Sequence, residues 1–256
     1  MKGTAVIFGA SGAVGRALST HLHHNGWQLA LIAREPSALD DLGLDDGHIL
    51  IEKGQSTEAT DVDRCMQSAI DRFGSITAVA NCIGSLLLKP AHLTTDDMWE
   101  ETLRINLTSS FYILRAGIKA MMNGGGSLVF ASTAAARTGF ANHEAIAAAK
   151  AGIEGLVRAA AATYGAKGIR INAVAPGLVH SKMTRDIVGN ETARAVSEGM
   201  HVLGRLGQPE DIASAMAWLM GAESAWVTGQ ILGVDGGLAH LRPRPTAVRS
   251  SVQRSA

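Results

Sequence analysis

Seven short apolar runs alternating with helical stretches constrain this chain more than any other feature. They are Thr4–Phe8, Gln28–Ala33, His48–Glu52, Ile76–Ala80, Ser127–Ser132, Ile169–Ala175 and Ile231–Asp235. They are apolar almost throughout rather than at alternate positions, so each needs cover on both faces. That pattern predicts an α/β architecture, a parallel sheet with helices on each side. The intervening stretches carry helix signals. Asn25-Gly26 stops the first helix, Pro36 opens a short one, and Gly74 closes a helix that starts near Glu58. Thr94 or Thr95 caps a long helix through Trp99, Leu103, Leu107, Phe111 and Leu114. Alanine-rich helix spans His143 to Tyr164, and Pro209 opens the last helix, ending near Met220. No internal repeat is present. The pattern predicts one domain over 1–238 and a flexible tail over 239–256 that holds Arg242, Arg244, Arg249 and Arg254 and no acid.

Composition narrows the function classes. Hydrophobic residues make up 46% and charged residues 18% of the 256, which excludes disorder. Formal net charge is zero, so no basic field exists to hold nucleic-acid phosphates. Cys65 and Cys82 do not make a disulfide framework, which points to a reducing, cytoplasmic setting. No run of about 18 apolar residues suggests a membrane span, and the N-terminus enters a strand directly, without a signal pattern. His21, His23 and His24 sit at a polar helix end without carboxylate or thiol partners at metal-site spacing, so no metal is expected.

The first strand runs into Gly9, Gly12 and Gly15 and then into a helix. Glycine permits a sharp turn and close approach to a pyrophosphate, and the helix N-terminus offers free N–H groups and a positive dipole end. This is the context of a dinucleotide site. The second strand ends at Ala33-Arg34-Glu35, with Arg34 where an acid would hold a ribose 2′-hydroxyl. The arginine favours NADP, with NAD as the second choice.

Further segments in order resemble one family. They are Asn81-Cys82-Ile83-Gly84, Arg104-Ile105-Asn106-Leu107, Ala148 to Leu156 around Lys150, Asn172 to Gly177, Val227-Thr228-Gly229-Gln230 and Val234-Asp235-Gly236-Gly237. Together they resemble the short-chain dehydrogenases/reductases from about Lys2 to Leu238. The resemblance implies a single Rossmann-type domain with a seven-stranded parallel sheet, a nicotinamide cofactor and usually a homotetramer, with a homodimer as fallback. It places cofactor contacts at Gly9, Ser11, Gly12, Val14, Gly15, Arg34, Gln55, Asn81, Gly84, Lys150, Pro176, Gly177 and Ser181. Gln55 stands where an Asp normally meets the adenine, and Cys82-Ile83 replace the usual Asn-Ala.

The family's active site is an Asn, a Ser, a Tyr and a Lys. By spacing, these positions fall on Asn106, Thr133 (with Ser132 adjacent), Ile146 and Lys150. Threonine keeps the hydroxyl. Isoleucine cannot give or take a proton, so this resembles an atypical member without the active-site tyrosine. His143 is a candidate replacement. Seven residues at ~100° each cover about 700°, within about 20° of two turns, which sets His143 on the face of Lys150. Imidazole exchanges protons near neutrality. The bland alternative is that Asn142 and His143 cap the helix and touch the loop before it.

The stretch from Leu178 to Leu206 is expected to form a helical lid. Ala159, Ala160 and Ala162, together with Trp226, are expected on faces between subunits. The expected activity is reduction of a small-molecule carbonyl, or oxidation of the matching alcohol. A non-catalytic nicotinamide-nucleotide binder, acting as sensor, scaffold or partner subunit, is the alternative.

Overall fold

The computed structural model describes residues 2–44 and 47–243. Seven strands form one parallel sheet: β1 Thr4–Phe8, β2 Gln28–Ala33, β3 Ile49–Lys53, β4 Ala78–Asn81, β5 Gly126–Ala131, β6 Ile169–Pro176 and β7 Ile231–Val234. Their order is β3-β2-β1-β4-β5-β6-β7. The longer helices are α1 Ala13–His24, α2 Ala59–Phe73, α3 Asp96–Leu103, α4 Ser109–Met121, α5 Glu144–Tyr164, α6 Arg185–Val188, α7 Glu191–Met200 and α8 Pro209–Met220. A 3-10 turn, Pro36–Leu42, follows β2.

The two-sided burial inferred from the apolar runs is present. In β1, Val6 and Phe8 enter one core while Ala5 and Ile7 enter the other. The first core gathers residues of α2, α4 and α5, and the second those of α1 and α8. Each fully buried aliphatic side chain stabilises by about 1.5–3 kcal/mol, so both faces contribute. A strand slipped by one residue would exchange the two sets.

Several boundaries differ from the sequence reading. β3 and β4 begin one and two residues later than expected, because Leu29 and Ala5 set where pairing with Ile49 and Ala78 starts. Thr95 is the cap that forms, its side chain accepting the Met98 N–H. The long helix it opens is interrupted by a π turn, Arg104–Thr108. Ala159 and Ala162 are exposed, but Ala160 is not on an outward face: it is packed in the first core beside Ala161.

Ala239 is buried, its N–H donating to Asp235 Oδ2 and its carbonyl accepting from Thr138 Oγ1. The packed body therefore runs past Leu238. Arg242 is described; Arg244, Arg249 and Arg254 lie outside the described residues.

Candidate active site

Chain order reverses between β1 and β4, which are neighbours in the sheet. In open parallel sheets the crevice outside such a switch point takes the ligand. Gly9 to Gly15, Asn81 to Gly84, Thr133 and Gly177 to Ser181 lie at or just after the ends of β1, β4, β5 and β6, while Arg34 follows β2, Gln55 follows β3, Asn106 lies in the π turn and Lys150 on α5.

The glycine turn leaves β1. Gly9 has φ 78°, a left-handed conformation that a side chain would strain, and the Gly9 and Ala10 N–H groups donate to Ile32 O. A Cβ on Gly15 would strike Gly9 O and Ala10, so α1 could not start so close to β1. The first turn of α1 has no acidic residue and its cap, Gly12, offers no side-chain acceptor. The free N–H groups therefore suit an anion. Ser11 and Gly12 are exposed, and Val14 packs against the second core.

Two arginines stand near this turn in different states. Arg16 bonds Ala38 O and pairs with Asp41 at 2.7 Å, bracing the 3-10 turn. Arg34 is exposed and has no acidic partner among the described residues. Gln55 gives its backbone N–H to Asp61, whose carboxyl is held below the usual range mainly by that bond. The nearby Thr57 hydroxyl is buried without a partner.

After β4, Asn81 is committed internally. Its amide donates to Ser110 Oγ and its oxygen accepts the Ile83 N–H. Asn106 sits in the π turn. Its Oδ1 accepts the Ser85 N–H, while its amide donates to Ser85 Oγ and Thr102 O. Two of the turn's carbonyls also accept hydroxyls: Ser109 donates to Ile105 O and Ser110 to Asn106 O. π turns often mark functional positions.

Lys150 is 6% exposed and projects from α5 under the β4 loop. Its Nζ donates to Ala131 O at 2.9 Å and Ile83 O at 3.3 Å. A Cβ on Gly84 would lie 3.4 Å from both Lys150 Nζ and Asn106 Oδ1, so the glycine keeps this corner open. Burial pulls the ammonium down to about 8, with the nearby Cys82 thiol opposing. Burial likewise pushes that thiol up to about 12.

The structure separates the two hydroxyls after β5. Ser132 is buried and donates to Glu154 Oε1. Thr133 is half-buried, and its Oγ1 accepts only the Ala135 N–H among the bonds present, which leaves its hydroxyl hydrogen to point elsewhere. Glu154 also holds Arg137 through both carboxylate oxygens and Arg158 at 3.6 Å.

Ile146 is 4% exposed. His143 is the N-cap residue of α5 but makes no side-chain cap bond. Its Nδ1 lies 2.8 Å from Ala141 O, a carbonyl that can only accept, so Nδ1 carries the proton and Nε2 is left open. Its ring packs on Phe140. The preceding Asn142 has φ 65°, and its carbonyl accepts the Lys89 N–H, which ties the β4 loop to the start of α5.

Pro176 and Gly177 close β6. Ser181, expected at the nicotinamide, shares its hydroxyl with Thr184 at 3.0 Å. The lid region forms α6 and α7 and leaves Met183, Val196 and Met200 exposed. Sequence reasoning missed Thr102, whose partners Met98 and Asn106 are one turn away, and Ser85, Glu154 and His201, which have partners far away in the chain. Among the described residues no group of three His, Cys, Asp or Glu is placed to hold a metal. No described helix is long and apolar enough to cross a membrane.

The crevice combines a glycine turn, a buried lysine and a π-turn asparagine. The family model described as enoyl-(acyl carrier protein) reductase matches residues 9–239. Carbonyl reductase family member 4 of Danio rerio is 32% identical, over 93% of this chain and 98% of its own. Cyclohexanol dehydrogenase of an Acinetobacter strain is 30% identical over 91% and 93%. A short-chain type dehydrogenase/reductase from Mycobacterium ulcerans superposes with TM-score 0.90 at 25% identity, covering 95% of this chain and 92% of that one. The chain belongs to the short-chain dehydrogenase/reductase family, whose members use NAD(P) nucleotides.

Proposed function

We propose that this protein binds NADP(H), with NAD(H) as the weaker partner, and interconverts a small-molecule carbonyl and its alcohol. The observation that carries this reading is Lys150, a buried cation with no carboxylate partner among the described residues, beside Asn106 and under the opening left by Gly84. A charge is held there at a cost unless something in the crevice uses it. The uncapped start of α1 fits a pyrophosphate, and unpaired Arg34 fits a ribose 2′-phosphate. The residues present thus fit the cofactor. When bound, the nicotinamide supplies or accepts hydride.

The chain's own residues do the rest. Lys150 Nζ holds the nicotinamide ribose, and Asn106 keeps the β4 loop in place through Ser85. Thr133 donates its hydroxyl to the substrate oxygen. His143 provides the proton that the isoleucine at position 146 cannot. At ~1.5 Å per residue, His143 stands about 10 Å along the axis from Lys150, against about 6 Å for the position of Ile146. To act as the acid the ring must be the imidazolium, whose Nε2–H would pass its proton to the substrate oxygen through a water. Pro176, Gly177 and Ser181 border the nicotinamide, with Gln55 and Asn81 on the adenosine side. A cytoplasmic homotetramer, or a homodimer, is the expected form.

The exposed apolar residues Trp99 and Phe111, beside α5, and Trp226 before β7 support that assembly. A second reading, a nucleotide binder without turnover, is favoured by Ile146 itself. Consumption of NADPH with a panel of aldehydes and ketones separates the two. The catalytic reading expects turnover that falls at least tenfold in His143→Phe while NADPH affinity holds. Full turnover in His143→Phe removes that residue from the chemistry. Tight NADPH binding with no turnover on any carbonyl selects the binder.

A further inference from the structure

His201 is a histidine at the end of the lid helix α7, yet it is 3% exposed. Its ring is wedged between two turns. One is Pro176-Gly177-Leu178 after β6, and the other is Asp235-Gly236 after β7. Nδ1 lies 2.6 Å from Ser197 O, and Nε2 lies 3.2 Å from the Leu178 nitrogen. A carbonyl only accepts and a backbone N–H only donates, so the neutral Nδ1–H tautomer satisfies both contacts at once.

The fit of ring to turn is close. A Cβ on Gly177 would come 2.6 Å from His201 Nε2, and one on Gly236 would lie 3.4 Å from Cδ2. Gly177 does not have a left-handed φ, so the approach of this ring, not backbone conformation, is what requires glycine there. The opposite side of the same turn is fixed by backbone alone: Gly207 N–H donates to Leu178 O and His180 N–H to Gly207 O. The Leu178 N–H has its partner only in the imidazole. Without the ring the Leu178 N–H loses its partner, and the turn keeps only its backbone bonds, those to Gly207 and the one from Gly177 N–H to Val234 O at 3.3 Å, beside a cavity of about 370 Å³.

We propose that His201 is a positioning residue that sets the Gly177–Leu178 turn, and through it the nicotinamide end of the crevice. This rests on the nucleotide-binding reading above. The ring touches neither ligand nor reacting atoms. It fixes the backbone that borders them and ties the lid to both turns.

The adenine end lies on β1, β2 and β3, remote from this turn in the sheet order. The two halves of the cofactor can therefore be read separately. Calorimetry on wild type, His201→Phe and His201→Gln would use NADPH and adenosine 2′,5′-bisphosphate, with NADH and ADP as the parallel pair. His201→Phe fills the space but accepts no hydrogen bond; His201→Gln restores an acceptor.

The expected result is NADPH affinity about tenfold weaker in His201→Phe, within threefold of wild type in His201→Gln, and bisphosphate affinity unchanged in both. Equal weakening of both ligands shows general loosening and overturns the proposal, as does no change in either. If the His201→Phe chain fails to fold, His201→Leu, which also lacks an acceptor, takes its place and the same outcomes decide. Wild type binding neither whole cofactor nor half overturns the nucleotide reading and this inference with it. Wild type binding both while the variants behave alike overturns this inference alone.

Discussion

Lys150 is a charged residue placed where folding disfavours charge. Burial pulls its ammonium down to about 8 from the ordinary 10.5, with the Cys82 thiol opposing. Below pH 8 both states are protonated and the folded state carries the full penalty. Between pH 8 and 10.5 the folded chain releases a proton that the unfolded chain keeps, so stability rises with pH across that window. Lys150→Met is accordingly expected to be more stable at pH 7, by on the order of 1–3 kcal/mol, with the gap narrowing at pH 9.5. Urea denaturation at the two pH values checks this, and a less stable variant at pH 7 contradicts it. Asn106, Ile146 and Lys150 are placed through the family resemblance, and so is Thr133, with Ser132 adjacent. That the Ser132 hydroxyl is already taken is not legible, because it depends on Glu154, a residue 22 positions away.

At the scale of elements, the strands were readable because both faces of each are covered, leaving continuous apolar runs. Their ends were less so, since pairing partners set them. The π turn was not read from the sequence: Arg104–Thr108 keeps the spacing of an ordinary helix, and the distortion shows in the Ser109 N–H reaching five residues back to Arg104 O. The link between β5 and α5 is similar. Glu154 is 5% exposed at its side chain, while Arg137 and Arg158 are 32% and 56% exposed and keep water when it is lost. The group orphaned by Glu154→Leu is the buried Ser132 hydroxyl, at about 1–3 kcal/mol. Adding Ser132→Ala should recover part of that loss, because no donor is then stranded. A double-mutant cycle by chemical denaturation measures it, and strictly additive effects would show that the two residues do not act as a pair.

At the scale of the molecule, the sheet order brings four loops to one edge and so assembles a crevice from segments that are far apart in sequence. The glycine turn announced its position; the lysine corner needed the fold. Trp226 is fully exposed, and Trp99 and Phe111 are exposed by 41% and 44%. The proposed homotetramer would cover such surfaces, a standard interface burying about 1,600 Å² in total. Phe111→Glu together with Trp226→Ser is expected to shift sedimentation to smaller species without lowering the melting temperature of the remaining fold by more than a few degrees. Unchanged sedimentation would place the assembly on other faces, or show there is none.

The central claim is a working nicotinamide-nucleotide site anchored by a buried lysine. Calorimetric titration of NADPH and NADH into wild type and Lys150→Ala tests it most directly. The account predicts NADPH binding tighter than NADH in wild type, and at least a tenfold loss in Lys150→Ala. Binding of neither nucleotide to the wild-type protein, or equal binding in the variant, would contradict it.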